Sequence, residues 1–292
     1  MRPTHTINTL HSKLGTKLGA FGSGTARWML GWWDIVFFGA QALVVSLSPS
    51  SYRAQTARIV ARHIYQSIGS ILPWYTVLTA LISLVMTRIV VVTALSYGLS
   101  QFALEMVVRV LVLELLPMSA ALFVALRYMA PVSSDIATLQ RESKQASWRD
   151  DQAVLRDELM PRVLAGVVSV LTLTAVSAVV ALLIAYVVVY GLSPWGFEAY
   201  TRMVGRVFSP AVALGFAVKS LLFSLAVGVI PVAAALINEP LANVGNKVGN
   251  KVGNKVSSNI GLTLANLGES GLVRLFLVIF IIEAATLMIK YF

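Results

Sequence analysis

Five apolar runs set the terms on which this chain can fold: about residues 70–95, 103–130, 160–190, 209–238 and 271–291. A helix needs roughly 20 apolar residues to cross a hydrocarbon core, and each run meets that length. Inside a bilayer no water is available to backbone N–H and C=O groups, so each run must satisfy them within itself, as a helix does. The expected fold class is therefore an all-α integral membrane protein with five transmembrane helices. Composition agrees: 57% of residues are hydrophobic and 12% are charged, where a soluble domain carries about 25% charged residues.

The chain ahead of the first run divides in two. Residues 1–27 are polar and basic, with no acid before Asp34. They read as a flexible basic arm, and a shortage of acids is also a trait of organellar targeting segments. Residues 28–66 read as interfacial and juxtamembrane helices. Trp28, Trp32, Trp33, Phe37 and Phe38 crowd one end of the stretch 28–47 and Asp34 interrupts it. Trp prefers the headgroup level, so this stretch is expected to lie along the membrane rather than span it. Arg58 and Arg62, four apart, share one face of a basic juxtamembrane helix. Residues 67–292 form the membrane core.

Orientation follows from Lys and Arg. If the residues before 70 are cytoplasmic, 131–159 and 239–270 are cytoplasmic too, and the turns near 96–102 and 191–208 lie outside. The inside segments then hold Arg141, Lys144, Arg149, Arg156, Lys247, Lys251 and Lys255, while the outside turns hold Arg202 and Arg206. That bias obeys the positive-inside rule. A net charge of +10 then reflects cytoplasmic loops facing anionic lipid, and no nucleic-acid motif accompanies it. The segment 131–159 is too polar to insert. It is either a solvated loop or a docking surface for a cytoplasmic partner. The repeat VGNKVGNKVGNKV at 244–256 reads as a flexible basic loop near headgroups, because its glycines disfavour a helix in water.

Charges inside the apolar runs are the candidate functional residues. Glu114 and Pro117 interrupt the second run, Arg88 the first, Lys219 the fourth and Glu283 the fifth. An acid at mid-membrane costs roughly 2.5–3.5 kcal/mol on insertion scales. Pro117 cannot donate a backbone hydrogen bond, which is expected to free a carbonyl near Leu113. At a rise of 1.5 Å per residue, Glu114, Lys219, Glu283 and Arg88 fall about 10–16 Å from the outer ends of their spans, within two helical turns of one level. Lys219 and Arg88 are expected to neutralise Glu114 and Glu283. Glu105 and Arg109, four apart, can pair locally. Glu114 is then either a structural acid held by a neighbouring cation or a residue on a transport pathway.

Catalytic signatures do not emerge. The three histidines, His5, His11 and His63, all precede the core, and there is no cysteine. HExxH, GxSxG and a complete phosphate-loop motif are missing. The chain reads as non-catalytic, with no metal site, and any active transport must draw on a separate subunit or an ion gradient.

Several stretches carry a resemblance. IYQSIGSILPWYTVLTALISLVM, with Gly69 and Pro73, looks like the first membrane segment of the MlaE (YrbE-like) permeases. LELLPMSAALFVALR resembles that family's ELGP–AGR signature through Glu114, Leu115, Pro117 and Arg127, with Leu116 and Leu126 in place of glycines. SDIATL at 134–139 sits where the family has its coupling helix, and Ile136 and Leu139 match. MPRVLAGVV at 160–168, GLSP at 191–194 and the Lys219–Ser220…Phe223 pattern also agree. The resemblance implies the permease subunit of a bacterial ABC lipid transporter in the inner membrane. It implies a homodimer, a cytoplasmic ABC ATPase that uses ATP and Mg, a periplasmic MCE-domain partner, and phospholipid as cargo moved between inner and outer membrane to support outer-membrane lipid asymmetry. On that pattern Asp135, Ile136 and Leu139 would couple to the ATPase, and this chain would bind no cofactor itself. An ion-driven secondary transporter using Glu114 or Glu283, and a non-transporting membrane scaffold, are the alternatives.

Overall fold

The computed structural model describes residues 72–128 and 159–237, the helix 256–291 with side chains for 271–289, and the isolated positions Trp32, Trp33, Phe37, Gly39, Ala40 and Gly69. Among the described residues every regular element is helical. In chain order these are α1 (Leu72–Ser96), α2 (Phe102–Tyr128), α3 (Met160–Tyr190), α4 (Phe197–Val207), α5 (Pro210–Ile237) and α6 (Val256–Tyr291). Five are long and apolar enough to cross a membrane, the spanning parts of α5 and α6 being Pro210–Ala235 and Gly271–Ile289. The chain is a multi-pass membrane protein.

Each expected span is met within three residues, and the larger differences lie between spans. The turn at 191–208 contains a 3₁₀ turn, Pro194–Gly196, and then the amphipathic helix α4. Helix α6 begins at Val256, at the last residue of the glycine-lysine repeat and well before its apolar run. Gly98 and Gly191 close the tight turns after α1 and α3 with φ of 72° and 66°, the left-handed region in which a Cβ is penalised. The expected interfacial stretch 28–47 lies mostly outside the described residues. Its described positions are helical, and a Cβ on Gly39 would meet Val229 Cγ1 of α5 at 3.3 Å.

Helices α2 and α5 are the most buried, and α1 and α6 keep wide exposed faces. Helix α3 packs on both α5 and α1, and α5 also packs on α6. Where α3 crosses α5 the two backbones come close. A Cβ on Gly166 would lie 3.0 Å from Gly228 Cα, and one on Gly228 would lie 2.7 Å from the Val163 carbonyl oxygen. Lipid is as apolar as leucine, so close backbone approach and van der Waals contact hold such helices together. The inner face of α1 follows the same logic with small hydroxyl residues: Tyr75, Thr79, Ser83 and Thr87 are buried at a spacing of four. Tyr75 reaches across to α2, with its hydroxyl 3.1 Å from Ser119 Oγ.

Side chains sort into two apolar clusters stacked along the bundle. One joins the second half of α2 (Ala120, Ala121, Val124) to Val163 and Leu173 of α3, Phe223 and Val227 of α5, and Leu275 and Ile279 of α6. The other joins the first half of α2 (Leu104, Val108, Leu111) to Ala181 and Ala185 of α3 and to Tyr200 and Val207 of α4. Both ends of α3 are clasped by tyrosines. At its start the Tyr128 hydroxyl donates to the Arg162 carbonyl. At its far end Tyr200 donates to the Leu182 carbonyl at 2.7 Å and packs edge-on against Tyr186 and Tyr190. Burial, and then the neighbouring Tyr190, push the Tyr200 hydroxyl up to about 12.

Candidate functional site: a charge triad inside the membrane

Lys219 stands on α5 between Phe216, which packs on one cluster, and Phe223, which lies in the other. Its ammonium donates to Glu114 Oε2 of α2. It also donates to Glu283 Oε1 of α6 at 2.9 Å, with Oε2 at 2.8 Å. The Phe223 ring centroid is 5.9 Å from the same nitrogen, at the edge of cation–π range. The Lys219 side chain is only 4% exposed, with the two carboxylate side chains at 19% and 14%. One cation therefore ties three helices at the level where the two apolar clusters meet. Each of these charges alone is expensive in hydrocarbon, and contact with its opposite is what makes the position tenable.

The surrounding backbone explains how α2 presents its acid. Val108–Leu115, which contains Glu114, is a π-helix, and the Leu116 N–H bonds to the Leu111 carbonyl in i→i−5 register. Pro117 is buried directly beyond it, and the helix continues through 116–128. The N–H that Pro117 lacks is preceded by this re-registered segment, and the helix is not interrupted there. Wide turns of this kind recur at functional sites because they re-aim a side chain without ending the helix.

A correction concerns Arg88. It is exposed on α1 and joins neither carboxylate, whereas Lys219 contacts both. The physical reason is facial. Arg88 follows Thr87 of the buried hydroxyl stripe by one residue, which turns it about 100° around the helix and away from the bundle. Glu105 and Arg109 pair locally as expected, at 2.8 Å. Asp135, Ile136 and Leu139, the expected coupling residues, lie outside the described residues, as does the 244–255 part of the basic repeat. Sequence reasoning missed the π segment and α4. The signal for the first was an acid three residues ahead of a proline. The signal for the second was the pair Glu198 and Arg202 at helical spacing, which form a 2.7 Å surface bridge.

A model of the family described as Permease MlaE matches residues 60–267. The chain belongs to the MlaE permease family. Comparison with curated proteins gives no match. The family match runs from before α1 into α6, so it takes in Glu114 and Lys219 and ends ahead of Glu283. MlaE membership suggests the membrane permease of an ABC-type lipid transporter, a non-catalytic transmembrane subunit that associates with an ABC ATPase and lipid-transport partners.

Proposed function

We propose that this MlaE-family chain is the inner-membrane permease subunit of an ABC transporter that moves phospholipid between inner and outer membrane and so supports outer-membrane lipid asymmetry. The family match over residues 60–267 carries the reading. Five spans around buried, mutually neutralised charges are consistent with it. In this reading two copies form a homodimer, with a lipid cavity at their interface lined by the first, second and fifth spans. Apolar walls suit acyl chains and a few fixed charges suit a headgroup. A cytoplasmic ATPase hydrolyses ATP with Mg, and Asp135, Ile136 and Leu139 pass its motion to the spans. A periplasmic MCE-domain protein receives or delivers the lipid. Glu114, Pro117, Lys219 and Glu283 set the geometry of the pathway, and Arg88 faces it.

The deciding experiment purifies the full chain with its co-expressed neighbours, identifies bound lipid by mass spectrometry, and follows labelled phospholipid in proteoliposomes with and without ATP. The reading expects ATP-dependent lipid movement and a co-purified ATPase. Lipid movement driven by a proton gradient without nucleotide would instead mark an ion-coupled transporter built on Glu114 and Glu283. Partners without lipid would mark a scaffold. Leu139→Arg is expected to abolish ATPase co-purification while leaving the melting of the spans unchanged. Recovery of an intact complex from that variant overturns the coupling assignment.

A further inference from the structure

One side of α1 is open at a spacing of three or four: Trp74, Val77, Leu81, Leu84 and, beyond Arg88, Val92 and Leu95 are exposed apolar side chains. Arg88 stands exposed in the same stripe, between Leu84 and Val92. It lies eight residues from the end of α1 at Ser96, about 12 Å along the axis. The acids of the described spans are already committed, Glu114 and Glu283 to Lys219 and Glu105 to Arg109. Arg88 forms no ion pair with any described residue, yet a guanidinium set among leucines and valines demands an anion. Its planar fork matches the oxygens of a phosphate better than any other side chain does.

We propose that Arg88 is the phosphate-binding residue of a phospholipid site on the outward stripe of α1. The headgroup phosphate docks on the guanidinium, and the acyl chains lie along Leu84, Leu81 and Val77 toward the start of the helix. The site rests on the lipid-transport reading and names the chemistry by which the pathway recognises its cargo, an ester phosphate rather than a neutral glyceride. It also explains why a cation survives on a face that otherwise matches hydrocarbon.

A photoreactive residue at Leu84 or Val92, in the full chain in nanodiscs, tests this with two tracers of equal acyl composition, labelled phosphatidylglycerol and labelled diacylglycerol. Arg88→Gln should cut crosslinking to phosphatidylglycerol about tenfold, the loss of one charge-assisted hydrogen-bonded contact. Arg88→Lys should keep most of it, and diacylglycerol crosslinking should not change. Equal phosphatidylglycerol crosslinking in wild type and Arg88→Gln overturns the proposal. So does crosslinking to a second copy of the chain in place of lipid, since a partner carboxylate would then be the counter-ion. ATP-driven lipid movement by the wild type, measured separately, decides the transport reading independently of this ratio.

Discussion

Lys219→Met is expected to destabilise the bundle by about 3–5 kcal/mol, the penalty for removing one partner of a buried ion pair and leaving the other uncompensated. Here the penalty falls on two carboxylates at once, because Glu114 and Glu283 both contact that ammonium. Methionine keeps the length and the apolar stem of lysine, so packing against Phe223 survives and the change isolates the charge. Glu114→Gln or Glu283→Gln should cost less, since each leaves Lys219 one acid and a neutral hydrogen-bonding replacement. The triple change Lys219→Met, Glu114→Gln, Glu283→Gln should recover most of the loss, because replacing a whole buried ionic group is often close to neutral. Thermal unfolding of the wild type and the four variants in one detergent reads this directly. A Lys219→Met protein that melts with the wild type would mean that the three charges are solvated rather than mutually held. Stability and transport need not recover together. A triple variant that is stable but moves no lipid would assign the charges to the working cycle as well as to the fold.

Gly228→Ala is expected to be as damaging as many larger core changes. Its Cβ would come within 2.7 Å of the Val163 carbonyl oxygen and 2.8 Å of Val167 Cγ2. The first obstacle is backbone and cannot rotate aside, so α3 and α5 must separate. Overpacking of this kind costs about 1–3 kcal/mol. It outweighs the helix-propensity gain of up to about 1 kcal/mol that alanine brings over glycine. Gly228→Leu should prevent the crossing altogether. Gly215→Ala is the matched control on the same helix, since a Cβ there meets nothing within 4 Å and only the propensity gain remains. The expected order of melting temperature is Gly215→Ala at or above wild type, then Gly228→Ala, then Gly228→Leu. Equal melting for both alanine variants would show that the crossing relaxes freely.

Much of this architecture was legible from residues because a bilayer enforces one rule. An apolar run of sufficient length becomes a spanning helix, and all five were located on that ground alone. The pairing of Lys219 with Glu114 and Glu283 was legible for a related reason. Charges at a common depth must find one another when water is absent. What escaped was angular and local. Depth along an axis fixes a level but not a bearing, so Arg88 was placed at the right height and on the wrong side of α1. The π register at Val108–Leu115 escaped because its side chains are ordinary helix-formers, and only the later proline hints that the ladder changes there. Helix α4 escaped because eleven residues outside the membrane carry a far weaker signal than a span. The Gly166–Gly228 crossing escaped because a glycine pair on different helices acquires meaning only once the helices are juxtaposed.

The clasp between Tyr128 and the Arg162 carbonyl pins the last residue of α2 to the first turn of α3. The spacing of those two helix ends is thereby set by a direct bond between the spans, and it does not depend on the chain that joins them. Tyr128→Phe should leave both helices intact and loosen only the angle at which they meet.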